Sequence, residues 1–209
     1  MTFLRPSIAG LSALLLAASF GAAPIVAQAE EVKPPATESV PEKAPESRSR
    51  HELLDELFAR LKAAKNRSEA KGLEVAIQKI WMASGSPSIG LLMSHGMKAM
   101  AAKDYDEALY YFDEVVALKP DYAEGWNKRS AAHYVLDDYS AALSDLEHVL
   151  RLEPRHFNAL AGLAVMLEDL GDKKGALDAY RRALALDPWL EGVPDRIKHL
   201  EPDVEGRGI

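Results

Sequence analysis

The chain has no cysteine among its 209 residues, so disulfides and a lipid-modified N-terminal cysteine are both excluded. Its stability must come from packing alone. Basic residues are outnumbered, 25 Lys and Arg against 32 Asp and Glu, and they form no cluster. That balance argues against a nucleic-acid partner. Beyond the first residues no basic amphipathic helix suits a membrane surface, so no membrane insertion of the mature chain is expected. Catalytic motifs are missing too. His51-Glu52 begins a helical stretch, but Asp55 stands where a zinc-protease motif needs its second histidine. There is no Gly-rich phosphate loop, no Walker-type lysine and no Gly-x-Ser-x-Gly elbow. His95, His133, His148, His156 and His199 are scattered over different segments, and Asp106, Glu107, Asp113 and Glu114 read as a solvated face. The expectation is a protein that is not an enzyme, with no cofactor and no metal site.

The long apolar stretch of the chain lies at its start. Arg5 supplies a positive charge, residues 8–20 an apolar run, and Ala27-Gln28-Ala29 a small-x-small cleavage site. Residues 1–29 therefore read as a secretory signal of bacterial type, cleaved after Ala29, which places the mature chain in the periplasm. The alternative is an uncleaved anchor: residues 7–29 are long enough to span, although Gly21 and Pro24 interrupt them. Cleavage would remove Arg5 as the one charge and leave 24 basic against 32 acidic residues, a net of −8.

Residues 30–50 follow, with Pro34, Pro35, Pro41 and Pro45 among Glu, Lys, Ser and Thr. Almost nothing there can be buried, so the segment reads as a disordered or extended tether, either a spacer or a leader that clears the protease. Residues 51–84 contain two apolar stripes at helical spacing. Leu53, Leu54, Leu57, Phe58 and Leu61 form one, and Leu73, Ala76, Ile77, Ile80 and Trp81 the other, with Ser68 as the N-cap of the second.

From residue 89 a period of 34 takes over. Pro120, Pro154 and Pro188 mark it, and Ala108, Ala142 and Ala176 recur with it, each followed by a leucine. Phe112, Leu146 and Tyr180 come four residues after those alanines, and Leu118, Leu152 and Leu186 two before the prolines. In the first half of each unit Gly96, Ser130 and Ala164 align, preceded by Leu92, Trp126 and Leu160. Turn signals at Lys103-Asp104, Asp137-Asp138 and Gly171-Asp172 separate the halves. Small residues let two antiparallel helices approach, large ones fill the grooves between them, and proline stops the second helix.

Together these columns resemble the tetratricopeptide repeat (TPR) family. The resemblance implies an all-α, helical-hairpin solenoid of three repeats, 89–122, 123–156 and 157–188, and a role in holding other proteins. Individual columns depart from it: His95 and Arg129 stand where the family prefers an aliphatic residue, and Ala99 and His133 replace a large one. The hairpin of residues 51–84 falls out of register and is expected to be a degenerate cap on the open end of the array. Residues 189–209 are expected to form a capping helix opened by Pro194, with Trp189 and Leu190 in the same seal, and a polar tail. Trp126 is expected to lie buried between two helices.

By the same resemblance, the groove that receives a partner is lined by Met93, Met97 and Met100, by Asn127, Ala131 and Tyr134, and by Asn158, Ala161, Val165 and Glu168. The three methionines fall at i, i+4 and i+7, one stripe on a helix, and methionine adapts to varied partner surfaces. The stripe could instead pack against the N-terminal hairpin. A third reading is cuprous-ion handling through the thioethers, although His95 points away from them. Some TPR proteins grip a partner's C-terminal carboxylate with Lys, Arg and Asn. Here those columns hold Met93, Met97, Ala131, Ala161 and Val165, with Asn127 the one polar match, so an apolar or helical segment is the expected ligand. The leading functional expectation is a non-catalytic periplasmic adaptor binding cell-envelope proteins, with self-association as a structural alternative.

Overall fold

The computed structural model describes residues 49–206; the expected export signal, 1–29, and the expected tether, 30–50 apart from its last two residues, lie outside the described residues. The described part holds nine helices and no strand. Six of them build the repeats: α3 (Pro87–Ala102) with α4 (Tyr105–Leu118), α5 (Ala123–Val135) with α6 (Tyr139–Leu152), and α7 (Phe157–Asp169) with α8 (Lys173–Leu186). The N-terminal hairpin is α1 (Arg50–Lys62) and α2 (Arg67–Met82), and α9 (Val193–Val204) ends the fold.

Each repeat reverses direction through the same backbone device. Lys103, Asp137 and Gly171 adopt left-handed φ values of 62°, 59° and 83°. The following aspartate, Asp104, Asp138 or Asp172, donates its N–H back to Ala99, His133 or Leu167 at 2.8–2.9 Å. Its carboxylate then caps the next helix by accepting from Glu107, Ala141 or Gly175 N–H. One residue closes the first helix and opens the second, which satisfies orphan groups on both.

Within each hairpin the small column meets the large one. A β-carbon added to Gly96 would lie 2.5 Å from the Phe112 ring, so only glycine fits there. Ser130 Oγ donates to the Ala142 carbonyl at 2.9 Å, and Ala164 packs with Ala176 and Tyr180. Ala108, Ala142 and Ala176 are fully buried.

The N-terminal hairpin does not cap the open end of the array, which corrects the expectation from sequence. It lies along the edge formed by the three proline turns. Tyr122 Oη at the first turn donates to the Met82 carbonyl at 2.8 Å. At the second turn Trp81 stacks on His156 with ring centroids 4.1 Å apart, and Phe58 and Trp81 both pack on Phe157. At the third, Leu186, Trp189 and Leu190 pack against the hairpin's buried core. A slip from the 34-residue register is what this position requires, because the hairpin spans three repeats instead of stacking on one. Leu91 on α3 is left 60% exposed, and His95 stacks on Tyr111 in solvent, where no preceding repeat demands an aliphatic residue.

Other positions also differ from the expectation. Asn66, not Ser68, caps α2 by accepting from Glu69 N–H. Trp189 belongs to the N-terminal hairpin's cluster, while Val193, Ile197 and Leu200 of α9 seal the third repeat as expected. Trp126 is half-buried: its Nε1 donates to the Pro120 carbonyl, its ring stacks on His148 at 4.2 Å, and Arg129 lies over its face. The departure at Arg129 is answered locally, by ion pairs to Asp145 at 2.6 Å and Asp113 at 2.9 Å.

The left-handed turn is occupied by glycine in the third repeat only. Lys103→Gly should therefore raise stability by about 0.5–1 kcal/mol, the relief of the β-carbon penalty less the extra chain entropy. Urea unfolding followed by circular dichroism would check this; a loss of stability would mean that the Lys103 side chain makes a compensating contact.

Candidate partner-binding groove

The first helices of the second and third repeats, α5 and α7, flank a depression of about 290 Å³. Asn127, Ala131 and Tyr134 line it from α5, and Asn158 and Val165 from α7. Five of the ten residues carried over from the family thus meet in one place. A second depression of about 280 Å³ lies between α7 and the start of α9 and is lined by Ala161, Val165, Tyr180, Val193 and Arg196. Gly162 and Val165 border both, so the two hollows run into one another along α7.

The spacing of α5 and α7 is set at both ends. At the N-terminal end Glu124 Oε1 lies 3.2 Å from His156 Nε2. His156 is also the N-cap of α7, its Nδ1 accepting from Ala159 N–H at 3.1 Å. With Nδ1 an acceptor, Nε2 is the nitrogen that donates to Glu124. Burial pushes the Glu124 carboxyl up, but His156, Lys128 and Asn127 outweigh that and hold it well below the usual carboxylate range. At the other end Tyr134 Oη donates to Asp169 at 2.7 Å, and that bond foremost pushes the phenol up to about 12. Asn127 is tied in as well, its Nδ2 donating to Glu124 at 3.0 Å.

The remaining expected residues fare differently. Met93 is only 1% exposed and sits in the core of the first repeat with Ile89 and Phe112, so it cannot touch a partner. Met100 packs partly against the same core, and Met97, 37% exposed, is the methionine that solvent reaches most readily. This splits the stripe and leaves the cuprous-ion reading without three thioethers on one open face. Glu168 is drawn to Tyr180 Oη at 3.2 Å and to Arg196 at 2.9 Å, so it braces α9. Tyr180, mainly through burial, is pushed up to about 12.

Gly162 was not among the residues expected from sequence. A β-carbon there would meet nothing within 4 Å, which makes it the open floor shared by both hollows. The available signal was a glycine in mid-helix, a position that costs stability unless space is wanted. Among the described residues no group of three His, Asp or Glu could hold a metal ion, and no helix is long and apolar enough to cross a membrane.

Stacked antiparallel helix pairs with a hollow between their first helices define a helical-repeat binding module. A tetratricopeptide repeat family model matches residues 94–145 and again 128–188. A TPR repeat-containing protein of Rhizobium etli is 39% identical over 160 residues, covering 77% of this chain and 78% of its own. The chain belongs to the tetratricopeptide repeat family. It is also similar to the Hsp70-Hsp90 organizing protein of Triticum aestivum, at 36% identity over 98 residues, but spans only 17% of that protein and 47% of itself. Among solved structures, the first TPR of Spaghetti bound to an HSP90 peptide superposes with a TM-score of 0.54 at 20% identity, over 56% of this chain and 93% of that one. The last likeness shows the fold alone. TPR domains mediate protein–protein interaction and are typically non-catalytic adaptors.

The two ties between α5 and α7 carry unequal loads. His156→Ala removes a helix cap and strands the buried Glu124, and should cost about 2–4 kcal/mol. Tyr134→Phe should cost about 1 kcal/mol, since the exposed Asp169 can turn to water. Paired urea titrations test this ordering, and equal losses would contradict it.

Proposed function

We propose that this protein is an exported, periplasmic adaptor that holds an apolar or helical segment of a cell-envelope protein in the groove along α7. The observation that carries the binding part is the pair of apolar hollows joined at Gly162, held open by α5 and α7 being tied at both ends. Export rests on the charged start, apolar run and small-x-small site of residues 1–29. The envelope role follows from combining that location with a binding module; no residue encodes it. The wheat relative's name and the peptide-bound TPR structure support a protein ligand, but the carboxylate-gripping set is not repeated here, because Ala131, Ala161 and Val165 take its place. An apolar stretch is the ligand such a surface can desolvate with gain.

The test is site-specific photocrosslinking in intact cells. A photoreactive residue at Asn158, in the groove, should capture a protein, and one at the exposed Glu147 of α6 should not. Gly162→Arg should abolish capture at Asn158 while leaving the fold intact, since the new side chain enters open space and replaces a helix-weakening glycine. Equal capture at Asn158 and Glu147, or capture that survives Gly162→Arg, would overturn the groove. Export has its own readout: the periplasmic fraction should contain a chain beginning at Glu30. A cytosolic chain that retains residues 1–29 would overturn it.

A further inference from the structure

The 34-residue period shows what each side of a repeat ordinarily meets, and the first repeat departs from it at the open end of the array. Gly125, Ala132 and Asp145 of the second repeat are buried, as are Ala159, Met166 and Ala179 in the same columns of the third. This side of a repeat faces the preceding one. A β-carbon on Gly125 would lie 2.7 Å from Val115 of α4, and Arg129 reaches Asp113 of α4 at 2.9 Å. One period earlier the three columns hold Leu91, Lys98 and Tyr111. Because the N-terminal hairpin lies along the proline turns, these residues have no repeat before them. Leu91 is 60% exposed, Lys98 is exposed, and Tyr111 is half-buried with His95 stacked on it at 5.1 Å.

Another repeat cannot stack there at the usual spacing. Leu91 stands in the column where Gly125 and Ala159 permit close approach, and Lys98 would bury a charge where Ala132 and Met166 bury none. The opposite end of the array is sealed by Val193, Ile197 and Leu200 of α9, so copies cannot join head to tail. The open face is instead complementary to itself. Its α3 side is basic through Lys98, and its α4 side is acidic through Glu107 and Glu114, which flank Tyr111 at helical spacing. None of these three charges makes an ion pair among the described residues. We infer that two copies of this chain dimerise through this face about a two-fold axis, α3 of each lying over α4 of the other. Leu91 and the His95–Tyr111 stack form a centre that pairing removes from water, and Lys98 of each copy meets the partner's Glu107 and Glu114. Laying α3 on α3 would set like charges together and cost affinity. Each copy has one such face, so association stops at two. The groove residues of α5 and α7 lie off it, and the dimer forms whatever the groove holds.

Sedimentation equilibrium of the chain purified from cells should show reversible monomer–dimer association between about 1 µM and about 1 mM, the range a small face supports. Leu91→Glu and Lys98→Glu, both at exposed positions that leave the fold intact, should each weaken the dimer by about tenfold or more. Leu170→Glu, at a leucine 52% exposed just past the end of α7, should leave it unchanged. A photoreactive residue at His95 should join two copies of the chain to each other. A mass that stays monomeric over the whole range would overturn the dimer. So would association indifferent to Leu91→Glu and Lys98→Glu, or equally weakened by Leu170→Glu. Capture at His95 of a different protein, and not of the chain itself, would assign the face to another partner and overturn the inference as well.

Discussion

Two helices of a repeat can come close only where one of them has almost no side chain, and this close approach is what the rest of the structure hangs on. Gly96 lies against the Phe112 ring with no room for a β-carbon, Ser130 bonds the Ala142 backbone, and Ala164 meets Ala176 and Tyr180. Contact at this range fixes how each hairpin stacks on the next, because a gap or an extra methyl at the contact would tilt every later helix. The groove is a product of that stacking. Its width is then trimmed by two polar ties, Glu124 to His156 and Tyr134 to Asp169, one at each end of the α5–α7 pair.

The edge of the array is organised differently from its interior. Proline turns follow α4, α6 and α8, and the N-terminal hairpin packs across them. Aromatic rings do most of the joining, with Trp81 sandwiched against His156 and Phe157. One imidazole thereby serves three neighbours: it caps α7, holds Glu124 and stacks under Trp81. The tie between α5 and α7 and the hairpin seam consequently share a residue.

The repeat columns were legible in the sequence because each encodes a local demand. A turn that must reverse needs an aspartate that can cap, a contact without clearance needs Gly, Ser or Ala, and a helix that must stop is followed by proline. The groove residues came instead from the resemblance to the family, and five of them, Asn127, Ala131, Tyr134, Asn158 and Val165, share one hollow. The methionine stripe misled because helical spacing says that three side chains share a face, not what that face meets. Phe112 and Ile89 enclose Met93, while Met97 is left to solvent.

What the sequence by itself determined is the repeat: its period, its turns, the small and large columns, and the family to which the chain belongs. These follow from contacts between residues close in the chain, where spacing alone specifies the partner. Only the tertiary structure decided where the out-of-register hairpin lies, that His156 is a buried joint, that Gly162 is an open floor, and that Arg67 of the hairpin pairs with Glu191. Those contacts join residues from about 30 to over 110 positions apart, and chain entropy leaves such pairings unspecified until the whole array has stacked.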